Sequence, residues 1–192
     1  MTQAQLHLTG EAEADALLSR DPLALLLGML LDQQFPMERA FAGPAVLSHR
    51  LGHEPTAAEL ASYDPEALAD LFAQPPVIHR YPRSMAGRVQ DVCRQLVDRY
   101  EGDPARLWQD VDSGTDLLRR LEELPGFGQQ KARIFVALLG KQYGVTPTGW
   151  RETAGPYGEE GSRRSIADVT GPDSLTEVRA YKRATKAAAK GS

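Results

Sequence analysis

Apolar residues recur along this chain at helical spacing, and the pattern predicts helices over 11–19, 22–33, 37–50, 57–61, 65–73, 83–99, 105–109, 115–121, 129–143 and 175–190. Alternation is confined to Leu6-His7-Leu8-Thr9, which fits a short strand or an extended lead-in. No alternating run is long enough for a sheet, so the expected class is all-α. Three starts share one form, Asp21-Pro22, Asp64-Pro65 and Asp103-Pro104, each with a capping carboxylate before a proline at the first helical position. Thr56 to Glu59 and Ser174 to Glu177 read as capping boxes. The segment 22–33 is apolar almost all round, as expected of a buried central helix, and it ends in Asp32-Gln33-Gln34.

The segment 154–173, with Gly155-Pro156-Tyr157-Gly158 and Gly161-Ser162, reads as a long loop. The helix after it carries Arg179, Lys182, Arg183, Lys186 and Lys190, with no acid beyond Glu177. Spacings of three and four place most of these cations on one face, which suits phosphates as well as it suits a solvated terminal helix. The expected organisation is one helical domain over 1–153, with the loop and basic helix of 154–192 packed on it.

Composition narrows the class. With 42% hydrophobic and 25% charged residues the chain is an ordinary globular protein, and 192 residues are ample for a core. The net charge of −4 does not advertise a nucleic-acid partner, so any such contact has to come from local basic clusters. A single cysteine, Cys93, excludes a disulfide framework and a four-cysteine iron–sulfur site, and its apolar neighbours mark it as a buried small residue. His53 and His79 stand apart from other ligand types, so no metal site is expected. The start of the chain lacks the basic and apolar regions of a signal peptide, and the longest apolar run falls short of the roughly 20 residues that span a bilayer. A cytoplasmic protein without membrane contact is the expectation.

The segment 122–140 is the most specific stretch. Leu124-Pro125-Gly126-Phe127-Gly128 allows a tight turn between two helices, and Gln129 opens an apolar helix. Unpaired amides and the positive end of the helix dipole then point at one place, which suits an anion such as a phosphate. An isolated Gly-x-Gly would be an ordinary C-cap. The whole string, continued by Gln129-Gln130-Lys131-Ala132, resembles the helix-hairpin-helix of the endonuclease III-like DNA glycosylases, the HhH-GPD superfamily.

That resemblance, which covers 17–150, implies a two-lobed helical fold with a cleft between the lobes and double-stranded DNA carrying a damaged or mismatched base as partner of a monomer. It implies that Gly126, Gly128, Gln129, Gln130 and Lys131 grip phosphate, with room for a monovalent cation on the hairpin carbonyls and no other cofactor. Gln34 matches the family glutamine that fills the gap left by an extruded base. Arg80, Tyr81 and Arg83, in His79-Arg80-Tyr81-Pro82-Arg83, resemble the segment contacting the strand beside the lesion, with Arg88 as a further phosphate contact. Each of these also has a plainer reading as a solvated helix start.

Two family groups are missing. The usual catalytic aspartate falls at Thr148, and the lysine of the strand-cleaving members falls at Gln130. Lys131 comes one residue later, about 100° around the helix, and is expected to face elsewhere, which disfavours a Schiff-base lyase. Hydrolysis of an N-glycosidic bond still needs a carboxylate near the sugar. Asp32 and Glu152 are the candidates, with Asp32 preferred for its apolar surroundings. Trp150 and Tyr157 are candidates for walls of a base pocket, or for core. The first functional expectation is a monofunctional DNA N-glycosylase of base-excision repair, and the second is a catalytically silent protein that binds damaged or distorted duplex.

Overall fold

A computed structural model describes residues 4–191. Ten α-helices are present among them and no strand: α1 (Ala12–Arg20), α2 (Pro22–Leu31), α3 (Met37–Leu51), α4 (Ala57–Ser62), α5 (Pro65–Ala73), α6 (Pro82–Tyr100), α7 (Gly114–Glu122), α8 (Gln129–Gln142), α9 (Trp150–Ala154) and α10 (Pro172–Lys190). The all-α expectation holds. No helix among the described residues is long and apolar enough to cross a membrane.

The proline starts behave as their chemistry dictates. Asp21, Asp64 and Asp103 accept from the amides of Leu23, Ala67 and Ala105, each capping donors that the first turn leaves unpaired. The third of these begins a 3-10 turn, Pro104–Leu107, in place of the expected α-helix. Ser174 is not an N-cap. The last helix starts three residues earlier than expected, at Pro172, and the Ser174 hydroxyl accepts from the amides of Thr170 and Gly171. Leu6 to Thr9 is extended without a strand partner, because the Asp15 carboxylate accepts the amides of Leu8 and Thr9 and the Thr9 hydroxyl. That pins Leu6 and Leu8 in the core.

Helix α2 is central. Every residue from Leu23 to Leu31 is buried, and it packs on α1 and α3. Helices α4 and α5 lie against α6, while α7 and α9 pack on α8. The segment expected to be a loop is ordered by α8: Lys141 donates to the Asp168 carboxylate at 2.6 Å, and the Gln142 amide donates to the carbonyls of Ala167 and Val169. Asp168 in turn receives the Ser162 hydroxyl and the Arg164 amide. Two 3-10 turns, Gly155–Gly158 and Ile166–Asp168, form within it. This tethering sets Tyr157 and Arg164 beside the start of α8.

Candidate functional site

The hairpin between α7 and α8 is built by backbone bonds from Leu124 to Leu121 and from Phe127 to Leu124, both 3.1 Å. Gly126 has φ +83°, and a Cβ there would lie 2.7 Å from Leu30 Cδ1, so the turn rests directly on the end of α2. Nothing stands within 4 Å of a Cβ at Gly128, which is exposed. Leu124 and Phe127 anchor the turn in the core while Gly128, Gln129 and Gln130 face outward, their amides at the N-terminus of α8. The hairpin glycines are therefore reachable from outside, as a phosphate contact requires.

Beside this hairpin is a cavity of about 780 Å³. Its floor is the end of α2, with Met29, Asp32 and Gln33; one wall is the hairpin and the start of α8; the other is Tyr157, Arg164 and the face of α10 that carries Tyr181, Lys182 and Lys186. Asp32 caps the C-terminus of α2, and 7% of its side chain is exposed. Burial pushes its carboxyl above the usual aspartate range, against the opposing pull of Lys182 and then Lys131. The Lys182 ammonium lies 4.0 Å from Asp32 Oδ1.

Lys131 does not face away. One residue past Gln130 changes its direction on the helix, but its long stem reaches back across the end of α2, where the ammonium donates to the Leu30 carbonyl at 2.8 Å. Both side chains line the same cavity. Burial lowers the Lys131 pKa to about 8, opposed by Asp32 and assisted by Arg88. Gln130 donates to the Tyr157 hydroxyl at 3.0 Å and so ties the hairpin to the opposite wall.

The two candidate carboxylates separate. Glu152 is exposed on α9 and lines a different, shallow concavity with Arg151, Glu159 and Glu160. Trp150 is also placed elsewhere: it lies on α8, where a Cβ at Gly140 would sit 2.3 Å from its ring, and it does not line the cavity. Of the two aromatic candidates, the cavity holds Tyr157. Thr148, at the position of the family aspartate, is exposed, and its carbonyl accepts the Gly114 amide at 2.8 Å.

A lip beside the floor carries the remaining candidates. Gln34 is exposed with φ +53°, and the Tyr81 hydroxyl reaches its Oε1 at 3.4 Å. Arg80 stacks over the Tyr81 ring. Arg83 turns to α5 instead, pairing with Asp70 at 2.7 Å and Glu66 at 3.6 Å. Two further residues hold this lip: His79, which sequence reasoning set aside only as a metal ligand, and Arg88, which it read as a phosphate contact. Buried His79 faces the Gln33 carbonyl through Nε2 at 2.9 Å and accepts the Tyr81 amide at Nδ1, which fixes the neutral tautomer; burial also lowers its pKa. Arg88 donates to the Gln33 side chain at 3.3 Å.

Residues 27–189 match the model of the HhH-GPD superfamily base excision DNA repair proteins. The chain belongs to that superfamily. No curated protein and no solved structure matches it. Membership in the HhH-GPD superfamily makes DNA the partner and base-excision repair the process, and it assigns the hairpin to the motif that gives the family its name. Arg164 and Tyr181, which line the cavity, carried no signal in the sequence, since a Gly-rich stretch and a polar helix have no period that points at a site. Cys93 is buried, and burial raises its thiol pKa to about 12, as suits an inert core residue.

Proposed function

We propose that the chain is a monofunctional DNA glycosylase that hydrolyses the bond between a flipped base and its sugar, with Asp32 as the working carboxylate. The observation that carries this reading is the placement of Asp32: a buried carboxylate on the floor of a cavity whose wall is the exposed hairpin turn. The Gly128, Gln129 and Gln130 amides hold a phosphate of the lesion strand, and Gln34 and Tyr81 enter the stack where the base has left. A monovalent cation at the hairpin would be held by backbone carbonyls of the turn, and no step depends on it.

With the base in the cavity, the C1′–N bond breaks and its electron pair stays with the base nitrogen. The sugar becomes oxocarbenium-like, and the Asp32 carboxylate faces that positive charge. Water attacks C1′ from the open side and gives its proton to Asp32, leaving an abasic site. The raised pKa of Asp32 suits a proton acceptor working near neutral pH.

A second reading, a silent binder of damaged duplex, draws on Thr148, where the family's aspartate is absent. Incubating duplexes that carry uracil, hypoxanthine, alkylated or oxidised purines, followed by alkali, separates the two. Base release supports the glycosylase; binding without release from any duplex supports the silent binder. Borohydride trapping tests hydrolysis against a lyase, because Lys131 has a depressed amine pKa and lines the cavity. The hydrolytic reading expects no adduct, and an adduct at Lys131 would replace it.

A further inference from the structure

The cavity's charge is lopsided. Lys131, Arg164, Lys182 and Lys186 line it from two walls, and Asp32 is the one carboxylate among its lining residues. Resting on the glycosylase reading, we propose that the base this cavity takes is a neutral keto base with an ionisable ring N–H, of the uracil, hypoxanthine or 8-oxopurine type, and not a cationic N-alkylated purine.

The electron pair of the broken bond sets the preference. When a neutral base leaves, it keeps the pair from the C1′–N bond and departs as an anion unless it gains a proton. Cations around it stabilise that departing charge, and they stabilise it more in the transition state than in the bound substrate. A cationic alkylpurine leaves as a neutral molecule, gains nothing from them, and meets repulsion on entry. The groups present are also donors, which complement carbonyl oxygens; 7-methylguanine carries such an oxygen too, so the preference rests on the charge of the leaving base alone.

Lys131 is the central group of the set. Its ammonium sits between the floor and the hairpin with one donor on the Leu30 carbonyl and two more unassigned to that bond. With a pKa of about 8 it is a stronger acid than an ordinary lysine and can pass a proton to the departing nitrogen or oxygen. The proton returns from Asp32 through solvent, so the cycle closes without another reactant. Arg164, over the Tyr181 ring and donating to its hydroxyl at 2.9 Å, holds the outer wall in place.

The test is single-turnover release from duplexes of one sequence carrying uracil, hypoxanthine, 8-oxoguanine or 7-methylguanine, with spontaneous loss subtracted. At least one keto base is expected to leave tenfold or more faster than 7-methylguanine. Lys131→Gln is expected to slow the keto base about 100-fold and 7-methylguanine less than threefold, in line with the usual worth of a proton donor. Because Lys131 is half-buried, Lys182→Gln on the exposed helix gives a second readout: with rates taken on the plateau above the acid limb set by Asp32, a three- to tenfold loss on the keto base alone. Faster or equal release of 7-methylguanine, or equal loss on both substrates in both variants, would overturn the proposal while leaving the glycosylase intact. Binding with no release of any base removes the glycosylase reading and this proposal with it.

Discussion

The two walls of the cavity are built by opposite means. On the hairpin side, α8 buries Ala132 and the run from Phe135 to Leu139, and the turn before it buries Leu124 and Phe127. Phe135 packs against both Phe127 and Trp108. On the other side, α10 buries only Ser174 and Val178, and every described residue from Arg179 onward is exposed. Beyond Val178 its links to the body are ionic: Arg179 with Glu38 of α3, and Lys182 with Asp32 of the floor. The first wall gets its position from packing, which is close to unique; the second contributes charge and is held by contacts that solvent screens. Under the proposed function, the packed wall is the one that places a phosphate, and the wall held by ion pairs is the one that supplies charge.

Substitutions in the two walls should differ most in stability. Phe135→Ala is expected to cost about 3–5 kcal/mol, read as a fall in the denaturant midpoint, whereas Tyr181→Ala should fall within about 0.5 kcal/mol of the parent. A large loss at Tyr181 would show that α10 is a core element after all.

Within the rigid wall, the two hairpin glycines should part company. Gly126→Ala meets Leu30 at 2.7 Å and a φ of +83°, so destabilisation of about 1–3 kcal/mol is expected. Gly128→Ala has open space and an extended backbone, so folding stays intact while duplex affinity drops several-fold, as a titration of labelled duplex would show.

A smaller effect separates charge from packing in the adjustable wall. Asp32 has to be ionised to accept a proton, and its pKa already lies above the ordinary value. Lys182 and Lys131 are the cations that pull it down, so Lys182→Gln makes the carboxyl hold its proton more tightly. The acid limb of the pH–rate profile should then move to higher pH. Lys186→Gln, on the same face but not among the groups that shift Asp32, should leave that limb in place. The smallest expected change is in salt dependence: losing one phosphate contact at Lys186 reduces the slope of log affinity against log salt by about 1.

Asp32 also links activity to stability. Its folded pKa is raised, so the proton is bound more tightly by the folded chain. That contribution to stability is fully present below the unfolded aspartate pKa and is lost as pH rises through the folded value. Asp32→Asn is therefore expected to raise the thermal midpoint at pH 7 relative to the parent and to change it little in strong acid. A midpoint that falls at pH 7 would mean the ion pairs outweigh the burial.

How much of this was legible in the sequence depends on the range of the contact. Asp21-Pro22 and Asp64-Pro65 announced their helices because a cap and its amide lie two or three residues apart. The hairpin was legible because Gly126 and Gly128 act on their own backbone. The apolar run of α2 put Asp32 at a buried end. What was not legible depended on where chains meet. Lys131 looked displaced on a helical projection, yet a lysine stem spans the difference. Glu152 and Trp150 lie near Thr148 in sequence, but α9 turns one outward and lays the other on Gly140. The segment 154–173 lacked a period because its order comes from Lys141 and Gln142 of α8, not from itself.

The most direct test of the account is single-turnover base release by the parent, Asp32→Asn and Glu152→Gln on the same lesion duplex, with binding measured alongside. The account predicts a loss of about 10²–10³-fold for Asp32→Asn with affinity retained, and a rate within twofold of the parent for Glu152→Gln. Release that survives in Asp32→Asn and disappears in Glu152→Gln would contradict it.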